Sequence, residues 1–169
     1  DTARSLTLSG TNTDLNTLAA GLGDNGTGAT SFVKDGAGTW QLTAASTITG
    51  ITSVNGGTLL VNNSTGSGTG TGAVTVNSTG TLGGSGTIVG GVTIGSGGIL
   101  SPGSTAGTNA GTINLDGNLS MAGSGSAETR LAFGYTNATG NVGGAWISAN
   151  GANWWNAYTG SLLTGNGGQ

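Results

Sequence analysis

A short word of apolar, polar and apolar residues recurs along this chain at nearly constant spacing. Val74-Thr75-Val76, Val92-Thr93-Ile94 and Ile113-Asn114-Leu115 follow one another at nearly even steps, and Thr52-Ser53-Val54 fits one step before Val74. A leucine trails each of the first three words: Leu59, Leu82 and Leu100 lie five or six residues after Val54, Val76 and Ile94. A further word, "GAGTW" (36–40), "GSGTI" (84–88) and the looser "NAGTI" (109–113), marks another corner. A fixed period of about 20 residues is the signature of a stacked architecture, and it takes precedence over any reading of single elements.

Each triplet has the period of a half-buried strand, with one side on a core and the other in water. Strands this short, separated by glycine-rich links, do not make a hairpin sheet of constant period. A coil with several short strands per turn requires both features. The 38 glycines serve its corners, where positive φ is adopted without steric cost, and Asn and Ser tolerate the same bends while bonding to local backbone. The expected fold is all-β: a parallel β-helix, or β-solenoid, of about six rungs at about 20 residues per turn. Strands then pair with their counterparts about 4.8 Å above and below. Val54, Val76 and Ile94 stack on one core ladder, and Leu59, Leu82 and Leu100 on another.

Residues 1–29 read as the N-terminal rung or rungs, a possible joint with a neighbour, because "ARSLTLSGTNT" (3–13) alternates with Leu6 and Leu8 on one side. Residues 30–133 hold the solenoid repeats, with Phe32 or Val33, then Trp40 and Leu42, expected to point inward. Past Phe133 the words stop. Residues 134–169 form a non-repeat, aromatic-rich C-terminal extension that carries Trp146, Trp154, Trp155, Tyr135 and Tyr158 and no charge.

Composition excludes several functions. Charged residues are 5% of the chain and the net charge is −3, so the electrostatic footprint of a nucleic-acid partner is missing. Cysteine and histidine are both absent, which removes disulfides, thiolate nucleophiles and the commonest metal ligand and proton shuttle. No apolar run approaches the ~20 residues needed to cross a bilayer, so membrane insertion is not expected. No signal-peptide pattern opens the chain, and its start at Asp1 reads as a processed form or a piece of something longer.

Little is left for catalysis. Asp116, Glu128 and Arg130 come near one another in sequence, and Glu128 with Arg130 fits a surface ion pair. Lys34, the one lysine, is expected as a solvated side chain at a turn beside Asp35; a Lys–Asn isopeptide crosslink is the alternative. Asp24, Asp35 and Asp116 are isolated and do not form the repeated aspartate pattern of calcium-binding turns. The pairs Thr11/Thr13 and Thr69/Thr71 do not recur at one register, against an ice-binding face. We therefore expect no enzyme, no catalytic residue, no cofactor and no metal.

The stretch 35–107, with "GAGTWQLT", "NGGTLLVN" and "GGILSPG" in that order, resembles the autotransporter-associated β-strand repeat, and the resemblance covers roughly 30–133. The family is found in passenger domains of autotransporters and other very large bacterial surface proteins. The resemblance implies a right-handed parallel β-helix that is secreted and exposed at the bacterial surface, with no catalytic signature.

A stack of rungs ends in two edges of unpaired backbone, and such edges are templates for a further strand. The expected function is a structural subunit of an extracellular bacterial fibre or surface layer, a homopolymer growing head-to-tail through open solenoid ends. The alternative is an adhesin or glycan-binding passenger segment of a large surface protein. Trp146, Trp154, Trp155 and Tyr158 are the candidate assembly or ligand contacts, either as a hydrophobic plug or as a platform for surface glycans.

Overall fold

The computed structural model describes residues 1–103 and 112–121, together with the backbone of 130–131. No helix occurs among the described residues. One sheet stacks β1 (Arg4–Leu8), β3 (Thr30–Lys34), β5 (Thr52–Val54), β7 (Val74–Val76), β10 (Val92–Ile94) and β13 (Leu119–Met121), in that order. A second stacks β2 (Leu15–Leu18), β4 (Thr39–Leu42), β6 (Gly57–Val61), β8 (Gly80–Gly84), β11 (Ile99–Pro102) and β14 (Arg130–Leu131). The third side carries the short pair β9 (Thr87–Ile88) and β12 (Asn114–Leu115). Every strand pairs in parallel with its counterpart one turn away, which makes a β-solenoid of about five turns.

Alternation along each strand builds the core. In the first sheet the inward row runs Leu6, Phe32, Thr52, Val74, Val92 and Leu119; two residues on, a second row runs Leu8, Lys34, Val54, Val76, Ile94 and Met121. The second sheet contributes Asn16, Trp40, Leu59, Leu82 and Leu100. Val54, Val76 and Ile94 are thus consecutive register partners, as are Leu59, Leu82 and Leu100. Each is buried, and burying an aliphatic side chain of this size contributes about 1.5–3 kcal/mol.

Two readings of the repeat need correction. The triplet Ile113-Asn114-Leu115 does not continue the row of Val92 and Ile94. That row continues at Leu119 and Met121, while Asn114 and Leu115 pair with Thr87 and Ile88 on the third side. In the first sheet the step from Val92 to its partner Leu119 consumes more chain than the steps from Phe32 to Thr52, Thr52 to Val74 and Val74 to Val92. The longer turn displaces the word to another face, and the same local pattern serves there.

Likewise "GAGTW" and "GSGTI" do not mark one corner. The first leads into β4 of the second sheet and the second into β9 of the third side. Both corners select glycine for the same reason, because neighbouring turns pass close together. At Gly57, φ is +61° and a Cβ would stand 2.5 Å from the carbonyl oxygens of Gly36 and Gly38 in the turn before. A side chain there collides with backbone that cannot move aside.

Candidate functional site

Lys34 is the most unusual residue of the described core. It is fully buried, on the inward row between Leu8 and Val54, and not the solvated turn residue expected from its place beside Asp35. Alternation from Phe32 dictates this: two residues along a strand return to the same face. The aliphatic stem occupies a ladder position, and the ammonium reaches the corner beyond it. There Nζ donates to the carbonyl oxygens of Asp35 (2.9 Å), Gly36 (2.8 Å) and Gly56 (2.8 Å). No backbone N–H among the described residues donates to these three carbonyls. One cation therefore satisfies three corner acceptors and ties two successive turns. All three contacts are to backbone oxygens, which is the geometry of a clamp, not of an isopeptide bond. Burial pushes the lysine pKa down, and the neighbouring Asp35 carboxylate partly opposes that shift.

Asp24 makes a comparable tie on the outer side. Its carboxylate accepts from the Thr30 N–H (2.7 Å), the Thr49 hydroxyl (2.7 Å) and the Thr49 N–H (3.2 Å), joining the first turn to the second. The Thr30 N–H foremost, then the Thr49 hydroxyl, holds its pKa below the ordinary carboxylate value. Side-chain amides also cross turns: the exposed Asn77 Nδ2 donates to Asn55 Oδ1 (2.7 Å), and the half-buried Asn62 Nδ2 to Gln41 Oε1 (3.0 Å). These contacts hold the stack together; no group of three or more potential metal-ligating residues forms among the described residues. Two hydroxyls inside the core, those of Thr52 and Thr69, have no hydrogen-bond partner. The pair Thr69/Thr71 is accordingly split, with Thr69 inward and Thr71 exposed.

The remaining candidate is the pair of ends of the described stack. β1 and β2 are the outermost strands of their sheets, each paired on one side only. Leu6, Leu8, Leu18 and Leu22 pack on the core yet stay half-buried, and Leu15 is 52% exposed. Asn16 stands where the next turn carries Trp40, and its amide donates to the carbonyls of Thr39 (2.9 Å) and Asp14 (3.1 Å). The rim of this end is thus polar around leucine. At the far end of the first sheet, among the described residues, β13 pairs with β10 alone, and Leu119 and Met121 are likewise half-buried against the core. Both ends present inward rows with no next rung above them among the described residues.

Of the aromatic contacts proposed from sequence, Trp146, Trp154, Trp155 and Tyr158 all lie outside the described residues, as does Glu128. Arg130 is placed by its backbone in β14, opposite Ile99. Asp116 is exposed in the last described turn, its N–H bonded to the Ile88 carbonyl. The clamp role of Lys34 was missed in sequence, though its signal is there: it shares the phase of Thr30 and Phe32.

Comparison with known proteins agrees with the repeat reading. The family described as passenger-associated-transport-repeat matches residues 32–61, which span β3 to β6. A protein named adhesin BmaC autotransporter, from Brucella suis biovar 1 (strain 1330), is 42% identical over 80 residues, covering 47% of this chain. The matched segment spans only 2% of that relative's length. No solved structure matches the chain significantly. The strands pair turn upon turn through the matched segment, so residues 32–61, which are similar to the passenger-associated-transport-repeat, form successive turns of the stack.

Proposed function

We propose that this chain is a structural segment of a bacterial surface passenger of the adhesin kind, acting outside the cell as a stiff solenoid rod. The observation that carries the reading is the continuous parallel stack, together with the likeness of its repeat to a passenger-associated repeat. Such a rod resists bending because each turn is bonded to the next along both sheets, and its surface offers polar side chains with few charges. In finer detail, the proposed assembly is head-to-tail, each open end receiving the complementary end of another copy, so that the rods extend into a fibre. The like inward rows that successive turns carry support this, since a turn of one copy matches the turn of another that it would stack on. A strand-addition joint supplies backbone hydrogen bonds, while the inward rows supply specificity.

Light scattering across a concentration series, with electron microscopy of the same samples, tests the assembly. Rods that lengthen with concentration at constant width are expected; a monomer at all concentrations removes the fibre reading. The name of the Brucella relative, an adhesin, favours a second reading, in which the segment contributes to adhesion, and we propose surface glycans as the ligand class for it. Binding on a glycan array that is lost in Trp154→Ala is the outcome that reading requires.

A further inference from the structure

We propose that Asn55 is a site of self-modification, a chemistry separate from assembly and adhesion: the Gly56 nitrogen closes onto the Asn55 side chain, ammonia leaves and a succinimide remains. Asn55 and Gly56 make up the whole corner between β5 and β6, the shortest described corner between the first and second sheets. Glycine at 56 has no Cβ to obstruct the closing ring. The Asn55 side chain is exposed, and no acceptor among the described residues takes the Gly56 N–H.

Negative charge develops on two oxygens in this reaction, and both already face a donor. Loss of the Gly56 proton places charge on the Asn55 main-chain carbonyl, which accepts from the Thr79 hydroxyl (3.3 Å). Attack on Cγ places charge on Asn55 Oδ1, which accepts from Asn77 Nδ2 (2.7 Å). Donors aimed at developing charge are the arrangement of an oxyanion hole, and a long contact such as that of Thr79 tightens as the charge grows. Thr79 is also the one non-glycine residue at positive φ among the described residues (+71°), a strained setting for a β-branched side chain. The matching corner of the following turn has Gly97 there, at +80°. The other Asn-Gly pair among the described residues is Asn25-Gly26. The Asn25 main-chain carbonyl accepts from the Gly28 N–H (3.0 Å), but no donor among the described residues meets its side chain. The Asp1 carboxylate packs against Gly26 and accepts from the Thr27 N–H, so it opposes negative charge on the adjoining nitrogen.

In the reaction, base removes the Gly56 proton, the nitrogen bonds to Cγ, and the Cγ–Nδ2 bond breaks as Nδ2 takes up a proton and departs as ammonia. Water then adds to either carbonyl of the imide, and the ring opens to aspartate or isoaspartate with the N–H restored. The isoaspartyl product has one extra main-chain atom next to Gly56, whose carbonyl Lys34 holds.

The full chain, kept folded in mildly alkaline buffer, should release ammonia and show amide-to-acid exchange at Asn55 in peptide maps, severalfold faster than at Asn25. In urea, where the donors are lost, that excess should vanish. Asn77→Ala and Thr79→Val should each slow the exchange at Asn55 about two- to tenfold, the worth of one hydrogen bond, while Thr79→Ser retains the rate. Circular dichroism establishes that each variant is folded. Asn25 converting as fast as Asn55 in the folded chain, an excess that persists in urea, or an unslowed Asn55 in either folded variant overturns the proposal.

Discussion

Replacing Lys34 by Met tests the clamp at the corner between the second and third turns. Methionine preserves most of the length and apolar stem of the lysine, so the ladder between Leu8 and Val54 stays filled. What disappears is the donor to Asp35, Gly36 and Gly56. The Gly56 contact is buried and the other two are partly so. A hydrogen bond from a charged donor contributes about 1.5–3 kcal/mol, and a buried acceptor left unpaired costs about 1–3 kcal/mol. Relief from holding a buried ammonium offsets part of this. The net expectation is a loss of about 2–4 kcal/mol, dominated by the carbonyls left without a donor. Urea unfolding followed by circular dichroism reads it as a lower midpoint at unchanged slope. Thr75→Val, on the outward row, serves as a control and should stay within about 0.5 kcal/mol of the parent. A Met variant as stable as the parent, or more stable, would refute the reasoning, because it would mean that water satisfies the corner and the lysine is merely tolerated.

Thr52→Val exchanges a buried hydroxyl without a partner for a methyl of the same shape, between Phe32 and Val74. It should stabilise the fold by about 1–2 kcal/mol in the same unfolding assay, and a loss of stability would show that the hydroxyl has a partner after all. Gly57→Ala forces a Cβ against two backbone oxygens at positive φ; we expect a loss of at least about 1 kcal/mol, and an unchanged midpoint would contradict the close approach of the turns. Asp24 has a lowered folded-state pKa, so the stability it contributes is present above the ordinary carboxylate value. That contribution declines as pH falls below this value and is gone once the folded carboxyl is protonated. The stability gap between the parent and Asp24→Asn should therefore be constant near neutral pH and close on acidification, and a gap independent of pH through that range would exclude the role.

Much of the fold was legible because its repeat is written in order. Val54, Val76 and Ile94, and Leu59, Leu82 and Leu100, each sit at the same offset from a glycine corner, and parallel pairing of successive turns brings like to like. The clamp was legible in part: the phase of Phe32 and Lys34 places both inward, but a lysine beside an aspartate at a turn is ordinarily a solvated pair. Its burial depends on three carbonyls, one of them in the following turn at Gly56, that no local pattern reveals.

The sequence alone determined that the chain coils into stacked short strands, since its apolar words have period two, recur once per turn and are separated by glycine. Only the tertiary structure decided which side of the coil each word occupies. Asn114 and Leu115 carry the same pattern as Thr93 and Ile94, yet lie on another face, because the lengthened turn between Val92 and Leu119 shifts them there. The physical reason is that alternation specifies inside and outside, a local property, and is the same on all three sides. Face and rung are set by how much chain the corners consume, and corner length is settled only when the next turn packs against it.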